Sequence, residues 1–259
     1  MSVHLVGGGR DLDAAANIYG GFAAECAQRA VVSGRDVPRI GVVVVAERED
    51  LDAGVDWFRQ ALERSLPVEV VSATAELTGE LTLAVPDARW WAGLDGLVVG
   101  GGLTPAYHRV LQPHAVDIAA AVADGLPYAG FSAGAMVAPA RALLGGWRIE
   151  TTPVTHEDNA EDLDEITVVD GLGLISSTVE VHTSQWGTLS RLVAAVAAGR
   201  TTSGIAVDEN TVVILDPTTD DAPAGEPAPG RVLGAGQAWF LTTDDGAVRV
   251  DRRTPTEVR

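Results

Sequence analysis

Ser132 stands between two glycines in Gly130-Phe131-Ser132-Ala133-Gly134, directly after the apolar run Leu126–Phe131. The spacing G-x-S-x-G is that of a tight strand-to-helix turn. In such a turn the serine takes a strained backbone conformation, and its neighbours must be small so that strand and helix can approach. A serine hydroxyl is a weak nucleophile unless a base takes its proton, and the oxyanion formed on attack needs fixed donors. The Ala133 N–H, first in the following helix, is the natural first donor. Gly100-Gly101-Gly102 closes another apolar run, Leu94–Val99, and would bring the Gly102 backbone close to a substrate as the second. The competing explanation for so little bulk is packing alone.

A serine of this kind needs a base, and the chain has five histidines. His4 lies inside the first strand and reads as a core or edge residue. His108 and His114 fall in a helix and read as surface or packing residues. His156 sits in an acidic stretch and is expected to be solvated. His182 ends Val179-Glu180-Val181-His182 just before a helix, at the kind of strand end where sites of α/β folds form. His182 is the expected general base.

The elements that must position these groups alternate. Strand signals at 3–6, 39–47, 67–73, 94–102 and 126–131 are separated by helical patterns at 14–32, 52–64 and 105–124. The helix at 52–64 carries Val55, Phe58, Ala61 and Leu62 on one face. Such alternation predicts βαβ units, a mainly parallel sheet and helices on both faces, a three-layer α/β/α sandwich. A helix is predicted over 133–144 after Ser132, an acidic exposed loop over 153–165, and a further helix over 185–198. Four short strand-like runs follow, SGIAVD, TVVILD, RVLGAG and QAWFLTT, assigned to antiparallel edge strands of the same domain. The Pro-, Gly- and acid-rich segment 217–230 reads as a flexible surface loop. Arg10 and Asp11, after the glycine triplet 7–9, either line the site or cap the next helix; capping is the preferred reading.

Composition bounds the rest. The 259 residues suit a single domain spanning 1–259, and 46% are hydrophobic, which suits a packed core. The formal net charge is −18, and all 18 basic residues are arginine. Without lysine there is no P-loop and no Schiff-base chemistry. The negative charge argues against nucleic acid and anionic membranes as partners. No apolar run approaches the ~20 residues that span a bilayer. The N-terminal stretch does not read as a signal peptide, and with Cys26 as the single cysteine a cytoplasmic location is expected. Cys26 itself reads as a small buried apolar residue.

Four segments in order, LVVGGGLT (97–104), GFSAGAM (130–136), VVDGLGLISSTVEVHT (168–183) and GIAVDENTVVIL (204–215), together resemble the peptidase E and cyanophycinase family of serine peptidases. The resemblance covers about residues 3 to 242. It implies the class I glutamine amidotransferase-like fold, with serine in place of cysteine, and an activity that cleaves an amide or isopeptide bond of a small peptide through an acyl-enzyme. It implies Ser132 as nucleophile, His182 as base, and Gly101, Gly102 and Ala133 around the oxyanion. It requires no metal or cofactor. Its members often form dimers, so a homodimer is expected. For the acid behind the imidazole two candidates stand: Glu150, at the family's position after the elbow helix, and Glu180, which shares a strand face with His182.

The chain also departs from the family's substrate-gripping pattern. Leu103 and Thr104 follow the second glycine triplet, and Trp186 and Thr188 stand where arginines bind charged substrate; Arg191 alone persists, with an expected structural role. Gly101, Leu103, Thr104 and Trp186 are therefore the candidate substrate-binding residues, and Leu103 and Trp186 predict a more apolar pocket. The same departures suit a member that has lost catalysis and acts as a binding or scaffold protein. An α/β-hydrolase-type esterase is disfavoured because no histidine follows His182. A glutamine amidotransferase is disfavoured because the nucleophile is serine.

Overall fold

The computed structural model describes residues 2–78, 81–85, 90–216 and 229–255. Five strands form the parallel core: β1 (Val3–Val6), β2 (Arg39–Ala46), β3 (Glu69–Glu76), β4 (Gly96–Val99) and β5 (Tyr128–Phe131). They lie in the order β1-β5-β4-β2-β3, each parallel to its neighbours. The run Val42–Val45 shows why these strands read as continuously apolar. Val42 and Val44 point to one face of the sheet, Val43 and Val45 to the other, and helices cover both.

On the first face lie α1 (Ala15–Val32) and α2 (Leu51–Glu63), which bury Ile18, Phe22 and Cys26 and the predicted stripe Val55, Phe58, Ala61 and Leu62. On the second lie α3 (Thr104–Leu111), α4 (Ala115–Ala123) and α5 (Ala133–Val137), with Tyr107, Leu111, Ile118 and Met136 in the core. The architecture is the expected α/β/α sandwich with a parallel centre and antiparallel edges.

The C-terminal strand runs divide between two sheets. Thr211–Leu215 and Arg231–Gly234 extend the large sheet antiparallel beyond β1. Ser203–Val207 and Ala238–Asp244 join Thr178–Glu180 and Ala247–Arg253 in a four-stranded second sheet. That sheet is backed by Leu192, Ala195 and Val196 of the helix Leu189–Ala197.

Three predicted helices are shorter or broken, each for a local reason. The helix expected over 133–144 ends at Val137, because Pro139 has no N–H to continue the ladder. The chain then forms the strand Arg141–Gly145, paired with Thr167–Asp170. The helix expected over 105–124 is broken by a 3₁₀ turn at Gln112–His114, which holds Pro113. The helix expected over 185–198 becomes Thr183–Trp186 and Leu189–Ala197, separated by Gly187 in the left-handed region (φ 71°). The acidic stretch is loop-like, with one 3₁₀ turn at Glu157–Asn159. Of the surface loop predicted at 217–230, residues 217–228 lie outside the described residues. Among the described residues no helix is long and apolar enough to cross a membrane.

Candidate active site

Ser132 sits at the carboxyl end of β5, between the strand and α5, with φ 52° and ψ −112°. This conformation is strained for a residue with a side chain. It is held by its surroundings: the Ser132 N–H donates to Val6 O at 2.9 Å, and the Gly134 N–H donates to Gly100 O at 2.9 Å. The two glycines of the motif are required by contact. A Cβ on Gly130 would lie 2.4 Å from Gly134 O, and one on Gly134 would lie 2.2 Å from Val99 O. Strand and helix touch through bare backbone, so the hydroxyl is lifted clear at the turn.

His182 caps the helix Thr183–Trp186 in the left-handed region (φ 52°, ψ 33°). Its N–H donates to Gly7 O at 2.9 Å, which ties the end of the second sheet to the end of β1. The structure thereby brings together the two residues singled out from sequence: Ser132 Oγ lies 2.9 Å from His182 Nε2. The other four histidines are elsewhere. His4 is buried edge-on to Phe22, His108 lies 2.8 Å from Asp170 O, His114 rests against Trp91, and His156 accepts from the Asp158 N–H in the acidic loop.

The acid behind the imidazole is neither of those expected. His182 Nδ1 faces Glu209 Oε1 at 2.7 Å. Glu150 is exposed on the short hairpin of Arg148–Ile149 and Thr152–Pro153, where its N–H donates to Glu165. Glu180 is fully buried and is taken by Arg191, whose Nε and Nη2 donate to its two oxygens at 2.7 and 2.9 Å. Glu180 and His182 are two apart, but the strand ends at Glu180 and His182 turns left-handed, so the alternation of faces fails.

Glu209 belongs to the turn Asp208-Glu209-Asn210 between Ser203–Val207 and Thr211–Leu215, the point where the chain passes from the second sheet to the first. Buried Asp208 accepts from the Ser184 and Gln237 N–H groups at 2.8 and 3.1 Å, and the Asn210 N–H donates to Gly8 O at 2.8 Å. The Glu209 N–H donates to Gln185 Oε1 at 3.0 Å. The available signal was an acidic turn closing an apolar strand, in the segment GIAVDENTVVIL.

Electrostatics favour a neutral imidazole at rest. Burial pushes the His182 pKa below its ordinary 6.5 and outweighs the opposing pull of Glu209. A neutral His182 with Nδ1–H on Glu209 leaves the Nε2 lone pair toward Ser132.

A cavity of about 960 Å³ opens over Ser132 and His182. Gly101, Gly102, Leu103 and Trp186 line it. Thr104, expected there too, does not: it is fully buried, its N–H donates to Glu161 and its hydroxyl turns to Met136 Sδ. Gly102 has φ 154°, which a side chain rarely adopts. The Ala133 N–H lies in the first turn of α5, where amides have no intrahelical acceptor.

The lining also corrects the expectation of an apolar pocket. Six acidic residues line it, Glu157, Asp158, Glu161, Asp162, Asp164 and Glu209, against one arginine, Arg10. Arg10 lies over the Trp57 ring instead of capping α1, which starts with no side-chain cap. Burial pushes the Glu161 pKa up, offset in part by the Thr104 N–H. Arg191 also donates to Gly146 O and Asn159 O, so the Glu180 pair anchors the acidic wall from behind. Among the described residues no group of three or more His, Cys, Asp or Glu side chains is placed to hold a metal ion.

No curated protein matches the chain. Among solved structures the chain is similar to a peptidase from an acI-B1 actinobacterium, with 16% identity over 99% of this chain and 95% of that one and a TM-score of 0.63; at that identity the likeness is one of fold. It is also similar to a candidate peptidase E protein from Listeria monocytogenes EGD-e, with 13% identity over 98% of each chain and a TM-score of 0.46. The family model of peptidase family S51 matches residues 89–220, a span that holds Gly100–Gly102, Ser132, His182 and Glu209. The chain belongs to peptidase family S51.

Proposed function

We propose that the protein is a serine hydrolase that cleaves an amide or isopeptide bond of a small peptide through an acyl-enzyme on Ser132. The observation that carries this reading is the continuous line Ser132 Oγ, His182 Nε2, His182 Nδ1, Glu209 Oε1, with links of 2.9 and 2.7 Å at the floor of a cavity. In this mechanism His182 takes the Ser132 proton as the hydroxyl attacks the carbonyl, and Glu209 holds the ring and stabilises the imidazolium. The Gly102 and Ala133 N–H groups receive the oxyanion. His182 then protonates the leaving amine, and water, activated by the same ring, releases the acyl group.

The acidic wall favours substrates that carry a cation and repels those rich in carboxylates. The test is hydrolysis of a library of dipeptides and β-linked isopeptides of both charges by wild type and Ser132→Ala. The reading expects cleavage by wild type alone, with cationic members preferred at low salt. Equal cleavage by both proteins contradicts it.

A further inference from the structure

The Trp186 indole lies flat on the His182 imidazole, with ring centroids 3.8 Å apart and planes 8° from parallel. Trp186 lines the cavity as a candidate substrate-binding residue, and this stack gives it a second partner. We infer that Trp186 is a positioning residue, which clamps the His182 ring in the plane that joins Ser132 to Glu209 and shields it from water. The inference rests on the hydrolase reading only for its kinetic consequence.

The clamp is built by local sequence. Trp186 is four residues beyond His182, its N–H donates to His182 O at 2.8 Å, and helical side chains lean toward the N-terminus, so the indole folds back over the ring. Gly187, left-handed, ends the helix directly after it. Asn159 Nδ2 donates to Trp186 O at 2.8 Å, which fixes the same residue from the acidic loop. The imidazole is thus enclosed on four sides. Ser132 and Glu209 hold its edges and Trp186 covers one flank. Gly8 lies against it too, where a Cβ would come within 2.1 Å of His182 Cε1. Trp186 remains half exposed, so the cover faces solvent on its outer side.

Two effects follow. An aromatic face attracts the imidazolium that forms during attack. The same cover adds to the burial of the ring, and burial is the chief cause of its lowered pKa. The charged groups around the ring are Glu209 from the turn, Glu180 from the strand before it and Arg191 from the helix behind.

The test compares wild type with Trp186→Ala, Trp186→Leu and Trp186→Phe in two readouts: the titration of the His182 ring by NMR, assigned through His182→Gln, and the plateau rate of fluorophosphonate labelling. The Ala variant, whose ring gains water, is expected to titrate higher, toward the ordinary histidine value, and to label about tenfold more slowly; the Leu variant, which keeps the cover without the π face, is expected to titrate no higher than wild type and to label more slowly. Phe restores most of both. Leu serves where Ala fails to fold, since it keeps bulk without a π face. A His182 titration unmoved in the folded Ala variant, or labelling unslowed in the folded Leu variant, overturns the inference. Wild type that resists the probe refutes the hydrolase reading instead, and the titration still decides the role of Trp186.

Discussion

Glu209 and Ser132 bind opposite edges of one imidazole, Glu209 at Nδ1 and Ser132 at Nε2, although Ser132 ends a strand of the large sheet and Glu209 lies where the chain crosses into that sheet from the second one. The two turns meet because β1 pairs with both β5 and Thr211–Leu215, so the strand before Ser132 and the strand after Glu209 flank the same neighbour. Removing the Glu209 charge at constant shape therefore releases the imidazole tautomer and leaves its cation unsupported. Glu209→Gln is expected to slow fluorophosphonate labelling by roughly 100- to 10,000-fold with the fold intact. Glu150→Gln, on an exposed hairpin, leaves the rate unchanged. The reverse pattern would return the acid's role to Glu150.

Glu180 has a different task. It and Arg191 are almost wholly buried, and each leaves an uncompensated charge when the other is lost. Glu180→Gln is expected to cost about 3–5 kcal/mol of stability while folded molecules keep their labelling rate. Denaturant unfolding followed beside labelling separates the two effects. A stable variant with lost labelling would assign Glu180 to the chemistry.

The pH dependence follows from the direction of the His182 shift. Its folded pKa is lowered below 6.5, so labelling should hold level through neutrality and fall only below the ordinary histidine range. The sign for stability agrees: below 6.5 the unfolded chain binds this proton more readily than the folded one, so the His182 contribution is lost as pH falls through that value toward the folded pKa. Labelling that declines already between pH 8 and 7 would contradict a depressed base.

Gly134 tests the elbow itself. Gly134→Ala places a Cβ against Val99 O, backbone on backbone, and should cost about 1–3 kcal/mol or more while shifting Ser132 out of register and slowing labelling. Gly93→Ala meets nothing within 4 Å and serves as the control. Equal melting temperatures and labelling rates for the two would remove close approach as the reason for the motif.

Much of this was legible in the residues. The βαβ alternation and the continuous apolar strands gave the sandwich, because burial on both faces leaves a mark at every position of a strand such as Val42–Val45. The meeting of Ser132 with His182 was legible because each follows a strand run with a distinctive neighbour set. The acid was not. Glu209 is set by a crossing between two sheets, a long-range pairing that leaves no periodicity, and Glu180 looked equivalent until the left-handed turn at His182 broke the alternation. The pocket's character was misjudged for a similar reason. Leu103 and Trp186 are apolar departures from the family's substrate-gripping pattern, while five of the six acidic lining residues arrive on the loop 157–164, which Arg191 and Thr104 hold by hydrogen bonds to Asn159 and Glu161.

The most direct measurement is the site of covalent modification. Wild type, Ser132→Ala and His182→Ala are treated with a fluorophosphonate, and intact mass and peptide mapping locate the adduct. One adduct is expected, on Ser132, absent from Ser132→Ala and formed at least 100-fold more slowly in His182→Ala. An adduct on another residue, or equal modification of wild type and Ser132→Ala, would contradict it.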